Sequence, residues 1–469
     1  MKKSLSLLSC NTTQKTMESP RHTRRHMLRA ALCRALLPLG LLLLAMPAFG
    51  QTYMKNNEYS KGVITRSNEA GGKRMNYVKS TNTSGYFMSE QVDGNSSCTY
   101  NAHPISGYDI SDFTIFNDTL YICGEDANGV GFYGWTSAPN TLNANWTFHI
   151  YKLYDNSSTF INQLLRIRVF RSGSDLNVLL IGMYRQSGSN SYSSILHVKN
   201  NNACTLAYVT GECFYDFAIL GDYVVTIEEK GGIRYHNGHY MRVLNKNAFS
   251  LYDVLFDYSY SYGQIQSIGR LWLQAADVNN FVSVYRDEMG YYFNAFSVSG
   301  GNLLFHKYYA VATSIMPTIG DVAYNNQNKS LAILHNEDTS GTISIFNCTS
   351  FPNITLSDAR YPSINNVGTD PQTKLLSVAK IPNSTEFVIG GMFLDHPVIW
   401  KTTSEICKIP RQISVTSANS VIDGSTWVAN RTTMTLNQST YTSYHEYGIW
   451  GINCQSPQFP VLPPVGPGN

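Results

Sequence analysis

The chain has 469 residues, 43% hydrophobic, 12% aromatic and only 14% charged, with 31 Tyr and 35 Gly. Low charge and abundant aromatics exclude an intrinsically disordered protein, and the length suffices for one large or two medium domains with a real core. The formal charge of +3 sits at one end: residues 1–50 hold eight Lys/Arg against one acid, leaving 27 bases against 31 acids in the remainder. An acidic body without clustered cations excludes nucleic acid as a partner.

The N-terminus reads as an address. A basic stretch, Arg21–Arg34, precedes the apolar run Ala35–Met46, and Ala48-Phe49-Gly50 comes before Gln51. Small residues at −3 and −1 after a short apolar run are the secretory cleavage pattern. A membrane anchor needs about 20 apolar residues, and this run is shorter. Residues 1–50 are therefore expected to be a signal peptide cleaved near Gly50-Gln51, with translation starting at Met27 or Met17 because the basic region is unusually long. The mature chain is expected to be secreted, periplasmic or on the cell surface, without a membrane span. Residues 51–73 are read as irregular, 74–454 as the folded domain, and Gln455–Asn469 as a Pro/Gly-rich irregular tail.

Export permits disulfides. Seven cysteines follow the cleavage point: Cys98, Cys123, Cys204, Cys213, Cys348, Cys407 and Cys454. The odd number leaves at least one thiol free or paired between chains. Cys204 with Cys213, Cys407 with Cys454 and Cys98 with Cys123 are the pairings considered. No CxxC and no Cys/His spacing suits zinc, so no metal is expected.

Along the body, short runs rich in Val, Ile, Phe and Tyr alternate with Gly, Asn, Asp and Ser, which is strand and turn chemistry. No window repeats apolar residues at helical spacing over three turns. The strand runs recur as a longer unit. One copy reads Ile110–Phe116, an Asn-Asp turn, Leu120–Gly124 and Gly131–Trp135; others start at Tyr215 and Gly320. The aligned aspartates Asp112, Asp216 and Asp321 lie 104 and 105 residues apart, twice a unit of about 52. Copies at Leu165–Val198, Leu271–Val298 and Leu375–Trp400 fill the intervals. Small sheets repeated in this way predict an all-β fold, a β-propeller, since each sheet covers its two apolar faces only by packing on its neighbours around an axis. About 405 residues divided by 52 favours seven blades, with six or eight also compatible, and N- and C-terminal strands closing the ring. Two tandem β-sandwiches are the rival architecture, but no linker interrupts 110–400.

The phrase Asp-Phe-x-Ile … Leu-Tyr-Ile-Cys-Gly … Gly-x-x-Gly-Trp resembles exported, propeller-like proteins of Bacteroidetes-type bacteria, over most of residues 100–410. That resemblance implies a propeller and an extracytoplasmic site and brings no activity with it. WD-repeat dipeptides do not recur. Ser420–Trp427 looks like a damaged sialidase Asp box, standing alone.

Several groups could carry chemistry. Asp112, Asp216 and Asp321 could serve as an acid and base on one face, but short acidic side chains more commonly brace strand entries through backbone N–H groups. His236 and His239 share a Gly-flanked loop without a third ligand. Glu125–Gly129 has oxygen ligands but not calcium-loop spacing, and reads as a polar turn. No nucleophile elbow, zinc-protease motif or phosphate loop occurs, and no cofactor is expected. Tyr258, Tyr260 and Tyr262 alternate, which in an extended chain puts them on one side, and Tyr291 follows in a doublet. Tyrosine suits sugar or protein recognition, or else fills the space between blades. The reading that follows is an exported, non-enzymatic propeller binding a glycan or protein ligand through Tyr258, Tyr260, Tyr262 and Tyr291 on its loop-bearing face. The alternatives are a carbohydrate-active enzyme using axial carboxylates and a structural subunit of a surface assembly.

Overall fold

The computed structural model describes the chain between residues 62 and 453, apart from connecting segments such as 68–73, 138–145, 231–237, 262–270, 362–372, 403–408 and 419–429 and shorter breaks. The expected signal peptide, the tail, Tyr262, His236 and the Asp-box-like segment lie outside the described residues.

The described residues contain strands and turns and no helix. The fold is a β-propeller. Its blades are antiparallel meanders spanning 62–106, 108–154, 160–209, 213–261, 272–312, 318–361 and 373–401, of four strands each except the three-stranded last. We number them blades 1 to 7. Blades 2 and 3 are continuous through the pairing of Tyr154 with Phe160. The turns use residues that tolerate positive φ: Asn117 and Asp118, at 45° and 61°, close the tight hairpin between Phe116 and Thr119. A β-ribbon twists the right way for such a turn only with left-handed backbone at both central positions.

Neighbouring blades meet through apolar clusters. Phe87, Phe113 and Phe148 join blades 1 and 2; Tyr133, Leu164 and Val178 join 2 and 3; Phe170, Ile195 and Phe217 join 3 and 4. Val225, Leu273 and Phe296 join 4 and 5; Phe293, Leu331 and Phe346 join 5 and 6; Leu334, Leu375 and Ile389 join 6 and 7. Each such side chain contributes about 1.5–3 kcal/mol on burial, which is why sheets with two apolar faces stack radially. Tandem sandwiches are not what forms.

The ring closes where blade 1 packs on blade 7. Gly62–Ser67, in the stretch expected to be irregular, is the innermost strand of blade 1. Its six residues are too few, and too polar at the edges, to stand out as a strand in the sequence. The Ser377 hydroxyl accepts the Thr65 N–H and donates to Val63 O, at 2.9 and 3.0 Å. A side chain at Gly390 would lie 2.4 Å from Val63 O, so glycine is needed for the two backbones to approach. The last described strand, Glu446–Asn453, pairs with Ser97–Ser106, so the first and last described strands share a sheet.

Cys123 and Cys348 are buried free thiols, which removes the Cys98–Cys123 pairing. Cys123 sits in the second strand of blade 2, opposite Asp112 in the core. Burial pushes its thiol well above the ordinary range, and the nearby Asp112 adds to this. The side chains of the other cysteines after residue 50 lie outside the described residues.

Candidate functional site

Inner strands from all seven blades surround one cavity of about 340 Å³. Its floor is set by a register irregularity that recurs along those strands. A bulge precedes Asp112, Asp216, Asp321 and Ser377 in blades 2, 4, 6 and 7. In blade 3 the corresponding residue is Arg166. An extra residue in one strand turns the next side chain toward the neighbouring blade.

The three aspartates do the same work there. Asp112 Oδ2 accepts the Ile167 N–H of blade 3, Asp216 Oδ2 the Leu273 N–H of blade 5, and Asp321 Oδ2 the Val378 N–H of blade 7. Asp216 and Asp321 also take the N–H of their own following residues, Phe217 and Val322. They are braces between blades, as the chemistry of short acidic side chains suggested.

Their charge is answered by arginines that the sequence reading did not select. Arg66 of blade 1 spans Asp112 and Asp321, at 2.9 and 2.7 Å. Arg168 of blade 3 spans Asp112 and Asp216, at 3.1 Å each. Arg166 lies 3.7 Å from the same two carboxylates, with its guanidinium 3.8 Å over the Trp272 ring. Burial lowers the affinity of all three for their proton. At Arg66 the opposing pull of Asp321 and Asp112 more than offsets it, and at Arg168 that of Asp216 and Asp112 does so; Arg166 stays below its ordinary value. In sequence, the trace of this network is Arg166-Ile-Arg168 standing at the aspartate position, between Leu164-Leu165 and Val169-Phe170.

A guanidinium has five N–H donors. Arg66 uses four, on Asp112 twice, Asp321 and Thr65 O. Arg168 uses three, on Asp112, Asp216 and Ile167 O. Both residues line the cavity and are partly exposed, and three of their N–H donors have no partner among the described residues. Asp321 also lines it but is committed to the brace.

The other expected residues lie elsewhere. Tyr291 is fully buried between blades 5 and 6, in ring contact with His335. Tyr258 and Tyr260 belong to the outer strand of blade 4, away from the axis; their side chains lie outside the described residues. Glu125–Gly129 is a polar turn: the Asp126 carboxylate takes the N–H groups of Asn128 and Val130 and pairs with Lys152. Among the described residues no His, Cys, Asp and Glu cluster is suited to a metal ion.

No family model matches the chain, and no curated protein does. Solved structures are similar in fold. The periplasmic gluconolactonase of Pseudomonas aeruginosa matches 76% of this chain and 99% of its own, at 12% identity and a TM-score of 0.45. A putative 6-phosphogluconolactonase from Bacteroides fragilis matches 77% and 99%, at 11% identity and 0.39. Chaetomium thermophilum Raptor matches 71% of this chain, at 10% identity and 0.40, and the chain spans only 27% of that protein's length. At these identities the likeness shows the fold alone. The expectation of a non-enzymatic module with a tyrosine-lined glycan or protein face is corrected by where its residues fall. Tyr291 is core, and the axial cavity is lined by cations.

Proposed function

We propose that the axial cavity is the substrate site of a hydrolase-type protein acting on a small acyl compound, a lactone or an ester about the size of a monosaccharide. The observation that carries this is the set of unengaged N–H donors on Arg66 and Arg168, held by buried carboxylates at the cavity floor. Fixed donors of this kind stabilise the oxyanion that forms when water adds to a carbonyl, and they cost no reorganisation during the reaction.

Asp112, Asp216 and Asp321 are spent on backbone and arginine, so among the described residues no pair of axial carboxylates is left for a glycosidase mechanism. Tyr324, the phenol lining the cavity, is pushed by burial up to about 12 and is a poor base. A site strong in electrophiles and weak in bases suits carbonyls that are already reactive, which lactones and activated esters are. Export and cleavage near Gly50-Gln51 belong to the same proposal, supported by the N-terminal pattern; the N-terminal sequence of the secreted chain tests them.

Turnover of aldonolactones and aryl esters by the purified mature protein, followed by proton release, tests the reaction. Arg168→Gln should lower turnover about 10²–10³-fold, the usual cost of one oxyanion donor. Arg168→Lys, which keeps charge but loses the planar fork, should recover only part of it. An Arg168→Gln protein that stays folded and keeps full turnover would sink the proposal.

A further inference from the structure

Charge along the axis is layered. At the floor, Arg66, Arg166 and Arg168 meet Asp112, Asp216 and Asp321 one for one. Toward the mouth the balance ends. Arg171 of blade 3, Lys246 of blade 4 and Lys380 of blade 7 line the same cavity. Their hydrogen bonds go to neutral acceptors. Arg171 Nη1 donates to Ser174 O, Lys246 Nζ to Leu220 O and Gly221 O, and Lys380 Nζ to Asn326 Oδ1. Of the described residues lining the cavity, Asp321 is the one acid, and it belongs to the floor.

Among the described residues, these three cations therefore have no carboxylate partner at the mouth of a cavity, on a body whose formal charge is otherwise acidic. Two of them are neighbours. The Ser172 hydroxyl donates to Asn247 O at 2.5 Å, tying the turn after Arg171 to the turn that carries Lys246. Arg171 supplies a planar fork matched to an oxyanion, Lys246 a point charge beside it, and Lys380 a second charge from the far wall.

We propose that this mouth holds an oxyanion, a phosphate ester or a carboxylate, at the end of the substrate opposite the reacting carbonyl. Arg171 and Lys246 are then specificity-determining residues, and the substrate class narrows to acyl compounds that carry an acid group. The assignment of the reacting end rests on the hydrolytic reading of the floor; the anion site does not.

Three polyols without a hydrolysable lactone or ester bond separate the two: sorbitol, gluconate and sorbitol 6-phosphate, titrated calorimetrically into the full mature chain. At least one of the two anions should bind ten-fold or more tightly than sorbitol, with an affinity that falls as salt rises. Whichever anion binds more tightly identifies the group as carboxylate or phosphate. Arg171→Met and Lys246→Met should each weaken that binding about ten-fold and leave sorbitol unchanged. Arg171 is exposed, so its variant should keep its melting temperature and guards against misreading a folding defect at Lys246. Equal binding of all three polyols, or anion binding indifferent to Arg171→Met, would overturn the proposal. Anion binding without turnover of any acyl compound would overturn the hydrolytic reading alone.

Discussion

Four joints between blades make the same hydrogen bond with different chemistry. At blades 2–3, 4–5 and 6–7 a carboxylate accepts the backbone N–H of the next inner strand; at blades 7–1 the Ser377 hydroxyl accepts it. A carboxylate can only accept, so it brings a buried charge, and each of the three has an arginine reaching it from another blade. A hydroxyl both accepts and donates, and Ser377 meets its donor and acceptor needs on Thr65 N–H and Val63 O without a counter-ion. The difference teaches where this propeller holds charge. It is kept where an arginine spans two carboxylates, and the ring is closed with a neutral pair.

The charged joints should therefore be the costly ones to break. Asp112 is touched by Arg66, Arg166 and Arg168 and is fully buried. Asp112→Asn keeps the size but removes a charge that all three guanidiniums share and turns an amide N–H₂ toward their donors. Breaking a buried ionic arrangement from one side costs about 3–5 kcal/mol. The midpoint of denaturant unfolding measures it. A loss under 1 kcal/mol would mean that the arginines find water instead.

A second way to sharpen the contrast is to charge a buried group that has no counter-ion of this quality. His197 of blade 3 lies against Phe249 and donates from Nε2 to Asn177 Oδ1 at 2.8 Å. Burial, helped by Lys199 and opposed by Asp175, lowers its pKa from 6.5 to about 4. The unfolded imidazole takes up its proton at a pH where the folded one does not. Stability is therefore constant above pH 6.5 on this account and falls as the pH drops toward 4. At 1.36 kcal/mol per unit, the loss is at most about 3 kcal/mol. His197→Gln should flatten that part of the pH profile, measured as the difference from the parent protein at pH 7.5 and 4.5.

Much of this architecture is legible in the chain. The spacing of Asp112, Asp216 and Asp321 marks alternate blades because a bulge and a brace are needed at the same height in each. Asn117-Asp118 announces its turn because few residues tolerate positive φ twice in succession. The intervening joints are not legible. Ser377 performs the aspartate's task, and Arg166 occupies its position, so the repeat conserves geometry while changing chemistry. Tyr291 shows the limit of a tyrosine doublet as evidence: adjacent residues of a strand face opposite sides, and a propeller covers both sides. Arg66 lay beyond reach because a guanidinium's partners are 46 and 255 residues away in the chain.

The smallest expected effects test the neutral joint. Ser377→Ala leaves the Thr65 N–H and Val63 O buried without that partner, a cost of about 1–3 kcal/mol. Gly390→Ala places a methyl 2.8 Å from Ser377 Oγ and 2.4 Å from Val63 O, and overpacking of that kind costs about 1–3 kcal/mol. Removing the hydroxyl makes room for part of the methyl, so the double variant should lose less than the two single losses together. The shortfall should be about 0.5–1 kcal/mol, the coupling expected of residues in contact. It stays partial because the Val63 carbonyl is backbone and cannot be cut away. Strict additivity would place Gly390 and Ser377 in separate environments and would leave the close approach of blades 1 and 7 without a role for either.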